Sequence, residues 1–522
     1  MKRKVMSIIL AAAMAFSLAA CGSSGTSGGE SSDGASGGAS GDSSEPELLE
    51  VGTLDSTDTF DPCSNSDCKL GMMLVYDTIL KLDYETMEPQ ADIATDWNWV
   101  DDKTLELTIR DDVTFSNGDE LTPEDVLYSM RRFVDENDQF DPGFDNIDYD
   151  NSTIDGNKLT LKLYEVDADF LIELCNESWA CVVDEDYVKE NPDSWWDAPV
   201  GSGPYTCEEN VEGSHATYQL RDDYWGDKPD AEEITVHNYT ESTTMIADFE
   251  NGDLDIVLDA PETDYTAAEA GDYGEDVQTK LFNSWNEIGI CLPQYNETFK
   301  DIKVRQAISY AIDTEAMTNA IFGSLGEHAD SILIKGCDYY SSIGTHEYDP
   351  EKAKELLDEA GYGDGMELKL VIPSMPANEK CAEILQAYLA EVGITVNVES
   401  YDFATAIPIL MQNGTDIGVF GTGGGTFTAS SIFSTISASN TNTTCKIDDE
   451  DFNEYVDAGL ATVDTEERQE NYTAAAQWVY DNYWTLPIAY SQAANLYHGN
   501  ISGVTGLNAR TIDLKQVVIA EE

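Results

Sequence analysis

Lys2, Arg3 and Lys4 precede a largely apolar run from Val5 to Ala20, and this arrangement decides where folding can begin. A basic start, a short apolar stretch and small residues at its end describe a secretory signal peptide. The run is sixteen residues long, below the roughly 20 that a membrane-spanning helix needs. Residues 1–20 are expected to be a removed leader. From Gly22 to about Ser44 the chain is nearly all Gly, Ser, Ala and acidic residues, without apolar periodicity. Such a segment buries too little surface to offset its ordering entropy. As a Gly/Ser coil of about 24 residues it reaches about 25–30 Å. The folded body is expected to start near Pro46 or Glu47.

The end of the leader, Leu18-Ala19-Ala20-Cys21, resembles the lipobox of bacterial lipoproteins. That resemblance implies that Cys21 is acylated, becomes the mature N-terminus and, with the linker over 21–45, tethers the body to a membrane. The expected location is the extracellular face of the cell membrane, or the periplasm in a cell with two membranes. An ordinary signal peptide followed by an unrelated cysteine is the other reading.

About 476 residues follow the linker, more than one hydrophobic core usually holds, so at least two lobes are expected. The net charge of −74 sets nucleic acid aside, because a polyanion would be repelled. It favours solubility and a weak attraction for cations, and either adaptation to the medium or steering of ligand accounts for it. Nine of the ten cysteines lie beyond Cys21, an odd number; Cys63 with Cys68 and Cys175 with Cys181 are near enough for local bridges, but spacing assigns neither. The five histidines are scattered, and no HExxH or zinc spacing occurs. No metal and no cofactor are expected.

Secondary structure is readable in places. Leu105, Leu107 and Ile109 alternate with polar residues, and Leu159, Leu161 and Leu163 repeat the pattern, as half-buried strands do. Thr122-Pro123-Glu124-Asp125 opens a helix with a capping residue, a proline at the first position and acids at the positive end. Asp301 and Asp349-Pro350 open two more, the second stopping at Gly361. Strands and helices mix without strict βαβ alternation, which makes the class α/β with several lobes.

Four segments in order resemble one family. The first is Trp97 to Tyr128, with Arg110-Asp111-Asp112-Val113-Thr114-Phe115-Ser116-Asn117-Gly118 and Leu121-Thr122-Pro123-Glu124-Asp125-Val126. The second is Gly201-Ser202-Gly203-Pro204-Tyr205 with Tyr224-Trp225 and Phe249 to Asp255. The helices after Asp301 and Asp349 are the third and fourth. Together they are similar to the family 5 (peptide/nickel-type) extracellular solute-binding proteins of ABC importers. The resemblance implies a type II periplasmic-binding-protein-like flytrap with two lobes and three domains. Domain I is expected to be discontinuous over 46–80, 198–283 and 487–522, domain II to cover 81–197 and domain III 284–486. It further implies a non-enzymatic, monomeric receptor that closes on a small solute, foremost a peptide. The solute is handed to a permease, whose channel and ATPase are separate chains. An oligosaccharide binder of the same family and a signalling or adhesion lipoprotein without transport are the alternatives.

The family's ligand walls map onto the loop at Cys63, Ser64 and Asn65 and onto the stretch holding Gly421, Thr422, Gly423, Phe427 and Thr428. Many peptide binders carry an Asp there for the ligand's α-amine; this chain has no acid between Ile417 and Thr444. A glycine-rich wall lets a ligand approach the backbone, which suits sugars and blocked peptides as well as free ones; a plain flexible loop is the other reading. Asn283 and Trp285, past the expected hinge, and Tyr401 complete the candidates, with packing in a core as the alternative for each aromatic.

Overall fold

The computed structural model of the protein describes residues 47–55, 59–64, 69–137, 142–421, 428–439 and 444–520. The leader and the linker, with Cys21, lie outside them. Local chemistry accounts for the elements. Helix Pro123–Glu136 begins with a capping box: Thr122 N–H donates to Asp125 Oδ2 at 2.8 Å while the Thr122 hydroxyl accepts from Asp125 N–H. Asp301 caps helix Ile302–Tyr310, and Asp349 caps helix Pro350–Glu359, which stops at Gly361 with φ +87°. Leu105, Leu107 and Ile109 are fully buried on strand Thr104–Ile109, each such side chain stabilising the fold by roughly 1.5–3 kcal/mol. That strand lies in a four-stranded antiparallel sheet with Ala94–Asp101, Lys158–Lys162 and Thr153–Asp155.

The glycines of Gly201-Ser202-Gly203 have a steric cause. A Cβ on Gly201 would lie 2.0 Å from Val75 O, and one on Gly203 would lie 2.6 Å from Leu74 O. Their carbonyls both accept from the buried Arg221 guanidinium, at 3.2 and 3.1 Å, so backbone and cation pack as one joint.

A nine-stranded mixed sheet forms the frame. Its strands run in the order Gly418–Gly421, Val277–Cys291, Thr485–His498, Ile256–Ala260, Leu48–Thr53, Glu233–Asn238, His215–Leu220 and Tyr205–Val211, with Gly326–His328 also on Thr485–His498. Leu48–Thr53 pairs in parallel with both its neighbours, and the other pairs are antiparallel.

The two longest strands, Val277–Cys291 and Thr485–His498, change partners along their length. Their ladder runs from Val277↔His498 to Asn283↔Gln492, breaks, and resumes at Glu287↔Tyr490. Before the break the outer partner is Ile256–Ala260; after it, the outer partners are Gly418–Gly421 and Gly326–His328. Trp285 sits in the break with φ +50°. An irregularity of this kind bends and twists a strand locally, so the two adjacent strands run together from the part of the chain before 284 and after 491, the first body, into the part between 287 and 490, the second, both within the one compact unit that starts at Pro46. Between Met366–Pro373 and Ile394–Tyr401 the second body carries a parallel pair, backed by helix Pro376–Glu391.

Candidate functional site

The break in the ladder opens onto a cavity of about 700 Å³. Ser284 and Trp285 form its floor; Ile321, Phe322, Leu325 and Met375 line it from the second body; Asp55, Asp259, Glu262 and 507–511 line it from the first. Lys69, Glu177 and Trp179 line it as well. This volume lies within the usual range of small-molecule sites, and the lining has their mixture of apolar surface with a few convergent polar groups.

Each polar group has a local cause. Asp259 occupies the left-handed region at φ +51°, in an irregular part of strand Ile256–Ala260, and its N–H donates to Asn495 Oδ1 at 3.0 Å. This places its carboxylate on Arg510, whose Nε donates to Oδ2 at 2.7 Å, while Nη1 reaches Asp55 Oδ1 at 3.4 Å. The guanidinium is bracketed by two acids at a cavity wall. Asn508 Oδ1 accepts from the N–H groups of Arg510 and Thr511 at 2.9 and 3.0 Å, an Asx turn that sets both residues. Thr511 is 6 % exposed, and its buried hydroxyl has no hydrogen-bond partner among the described residues. Glu262 accepts from Ser324 Oγ at 3.0 Å. Glu177 accepts from the Tyr84 hydroxyl, and burial raises its carboxyl to about 7.

Glu177 also borders a second cavity of about 890 Å³ lined by Tyr84, Asp92, Tyr224, Trp225 and Lys515. Here Trp225 Nε1 donates to Asp77 Oδ2 at 3.0 Å, and Arg110 stacks 3.8 Å above the Trp225 ring. The Lys515 ammonium, 3.9 Å from Asp77, is held charged by a ring of carboxylates, Asp513 and Asp77 foremost, against the burial that opposes it. Among the described residues no group of three or more His, Cys, Asp or Glu is arranged to hold a metal ion.

The structure distributes the sequence candidates unevenly. Trp285 lines the first cavity. Asn283, two residues earlier, donates from Nδ2 to Lys335 O at 2.9 Å. Gly421 pairs with Ile288 on the neighbouring strand. Thr428 caps helix Ala429–Ser434. Tyr401 ends its strand with its hydroxyl on Glu399. Cys63 and Ser64 are tied into a turn on Asp61: Ser64 Oγ donates to Asp61 O at 2.7 Å, and Arg132 Nη1 lies 2.8 Å from Asp61 Oδ1 and 2.9 Å from Cys63 Sγ. Asn65, Thr422, Gly423 and Phe427 lie outside the described residues. Arg510, Asp259 and Thr511 were not legible, because an isolated Asp in a strand and an Arg in a turn carry no motif.

Cys175 and Cys181, adjacent enough for a bridge, are both free: their thiols donate to Leu171 O and Glu177 O at 3.3 and 3.2 Å. Cys68 lies outside the described residues.

A cavity thus lies at the bend of the two-strand crossing. Residues 88–444 match the family described as bacterial extracellular solute-binding proteins, family 5. The chain belongs to this family, whose members are the substrate-binding components of ABC importers and not enzymes. It is 24 % identical over 450 residues to heme-binding protein A of Haemophilus influenzae, covering 80 % of this chain and 82 % of the relative. It is 23 % identical over 488 residues to the dipeptide-binding protein of Escherichia coli, covering 85 % and 86 %. The solved structure of HbpA2 from Haemophilus parasuis superposes with a TM-score of 0.81 at 19 % identity, over 91 % of this chain and all of the other. The fold is the type II solute-binding fold.

Proposed function

We propose that this protein is a lipid-anchored receptor on the outer face of the cell membrane, or in the periplasm of a two-membrane cell. It captures a small solute, foremost a peptide, and delivers it to a separate ABC permease. The observation that carries the reading is the cavity at the strand crossing, where Trp285 and the Asp259–Arg510–Asp55 group face apolar side chains of the other body. A peptide needs both kinds of partner: fixed polar groups for its main chain and apolar space for its side chains. On this reading the hinge lies at the ladder break, 283–287 and 490–492, close to the expected joints of domain III, over 284–486, with domain I on either side of it. Closure is a shift between two populated arrangements of these bodies.

The glycine-rich stretch has no acid for a peptide's ammonium; Glu262 and Glu177, which line the cavity without an arginine on them as Asp55 and Asp259 have, are the candidate replacements. A second reading, an oligosaccharide ligand, is favoured by the two indoles, Trp179 and Trp285, that line the same cavity.

Thermal-shift screening of the protein without its leader and linker decides between them, using di- to octapeptides, their N-acetylated forms and oligosaccharides. A ligand that binds the native state alone stabilises it by about 2.7 kcal/mol at a hundred times Kd. Shifts with free peptides that acetylation abolishes support the peptide reading with an acid on the amine. Shifts with sugars alone overturn it.

A further inference from the structure

Asp169 stands at the N-cap position of the short helix Phe170–Glu173, where an Asp side chain ordinarily accepts from its own helix's N–H groups. It makes no such bond. Its carboxylate is instead occupied by two donors far away in sequence: Ser430 Oγ, 261 residues on, and Arg468 Nη2, 299 residues on. The neighbouring carbonyl of Ala168 accepts from Arg468 Nη1 at 3.1 Å. Asp169 belongs to the body before the strand crossing, and both donors belong to the body after it.

The donors are held by their own body. Arg468, on helix Thr465–Asn482, donates from Nε to Gly459 O at 3.2 Å and from Nη2 to the Tyr472 hydroxyl at 3.2 Å. Its guanidinium lies 4.6 Å from the Tyr339 ring centroid. Ser430 is in helix Ala429–Ser434, which begins where the glycine-rich stretch ends, and Asp338 Oδ1 fixes that helix by accepting from Ala429 N–H at 2.5 Å. The pair is dry: the side chains of Arg468 and Asp169 are 5 % and 11 % exposed. Such a buried pair adds little net stability against well-packed apolar residues, yet removing one partner strands the other charge. That is the behaviour of a contact that selects one arrangement over another.

We propose that Asp169 is a positioning residue that, through Ser430 and Arg468, latches the two bodies in the closed arrangement. The proposal rests on the two-body reading of the strand crossing. Opening separates Asp169 from Ser430 and Arg468 together, while Arg468 keeps its contacts to Gly459 and Tyr472 and stays poised to re-engage.

The test is small-angle scattering of the ligand-free protein, with thermal melting and circular dichroism as controls for folding. A charge-assisted hydrogen bond of this kind favours closure by roughly ten- to a hundredfold. Asp169→Asn is therefore expected to raise the radius of gyration with an unchanged far-ultraviolet spectrum. Ser430→Ala, which deletes one donor and leaves the ion pair, is expected to act in the same direction by less. If Asp169→Asn does not fold, Ser430→Ala alone decides, and scattering identical to the parent overturns the proposal. A parent already open in solution also overturns it. Trp285→Ala loosens the crossing without touching the latch: if it expands the protein while Asp169→Asn and Ser430→Ala do not, the bodies move but Asp169 does not latch them. If none of the three expands it, the two-body reading fails as well.

Discussion

The indole Nε1 of Trp285 donates a 2.7 Å hydrogen bond to the carbonyl oxygen of Leu507. The bond ties the irregular residue of one crossing strand to the loop that carries Asn508, Arg510 and Thr511, so the bend in the strand and the wall of the cavity are set by one contact. Trp285 is 5 % exposed, and its ring packs against the larger apolar cluster.

Trp285→Phe is expected to keep the packing and lose the donor, leaving the Leu507 carbonyl short of a partner, at a cost of about 1–3 kcal/mol. Trp285→Ala is expected to cost about 3–5 kcal/mol through the cavity it leaves. Urea denaturation reads both; a Trp285→Phe variant as stable as the parent would show that the hydrogen bond contributes nothing.

Lys515 is the cation that Asp77, Asp92, Asp513 and Glu177 share. Lys515→Met removes it and leaves those carboxylates facing one another, with an expected loss of about 1–3 kcal/mol at pH 7.5, where the side chain's partial exposure moderates the full penalty of a stranded charge. At pH 5 Asp92 and Glu177, both raised by burial to about 7, hold protons, so the loss is expected to shrink. A loss independent of pH would mean that packing of the lysine stem, not its charge, is what matters.

Burial raises a set of carboxyls above their ordinary range: Glu173 to about 8, Asp92, Asp338 and Glu177 to about 7, and Asp167 to about 6. Nearby acids add to the rise in each. In the interval between the ordinary carboxyl range and these values, the folded state holds more protons than the unfolded one, so stability falls as pH rises. His346, stacked between Tyr480 and Tyr483, has the opposite sign: burial lowers it to about 4, and its contribution is lost as pH drops from 6.5 toward 4. The melting temperature is therefore expected to climb on acidification from pH 8 and to climb more steeply below about pH 7, where the carboxyls near 7 and 6 take up protons and the single His346 offsets only part of the gain. A profile that is flat or falls on that acidification contradicts this.

The thiols of Cys175 and Cys181 are expected to be alkylated in full after denaturation without reductant, since each is a free donor to a backbone carbonyl. Peptide mass analysis showing them joined would put the local bridge back.

The caps at Thr122, Asp301 and Asp349 were legible because each is a short-range device: one side chain, one N–H, three or four residues. The alternation at Leu105, Leu107 and Ile109 was legible for the same reason. The tight glycines of Gly201-Ser202-Gly203 were legible as a motif, although their cause, the backbone of Leu74 and Val75, was not. What escaped depends on register and distance. The ladder break between Asn283 and Glu287 is a property of two strands jointly, and the positive φ of Asp259 leaves no mark on a residue type common everywhere in so acidic a chain. Asp169 and Arg468, separated by 299 residues, could not be paired by any pattern.

Glu287 and Tyr490 face each other across one rung of the ladder, and everything between them belongs to the second body. That body therefore enters and leaves the molecule through a single doorway about one strand pair wide. A segment with neighbouring ends can change in length or sequence without rerouting the rest of the chain, so the side of the cavity that carries Phe322, Leu325 and Met375 is connected independently of the side that carries Asp259 and Arg510.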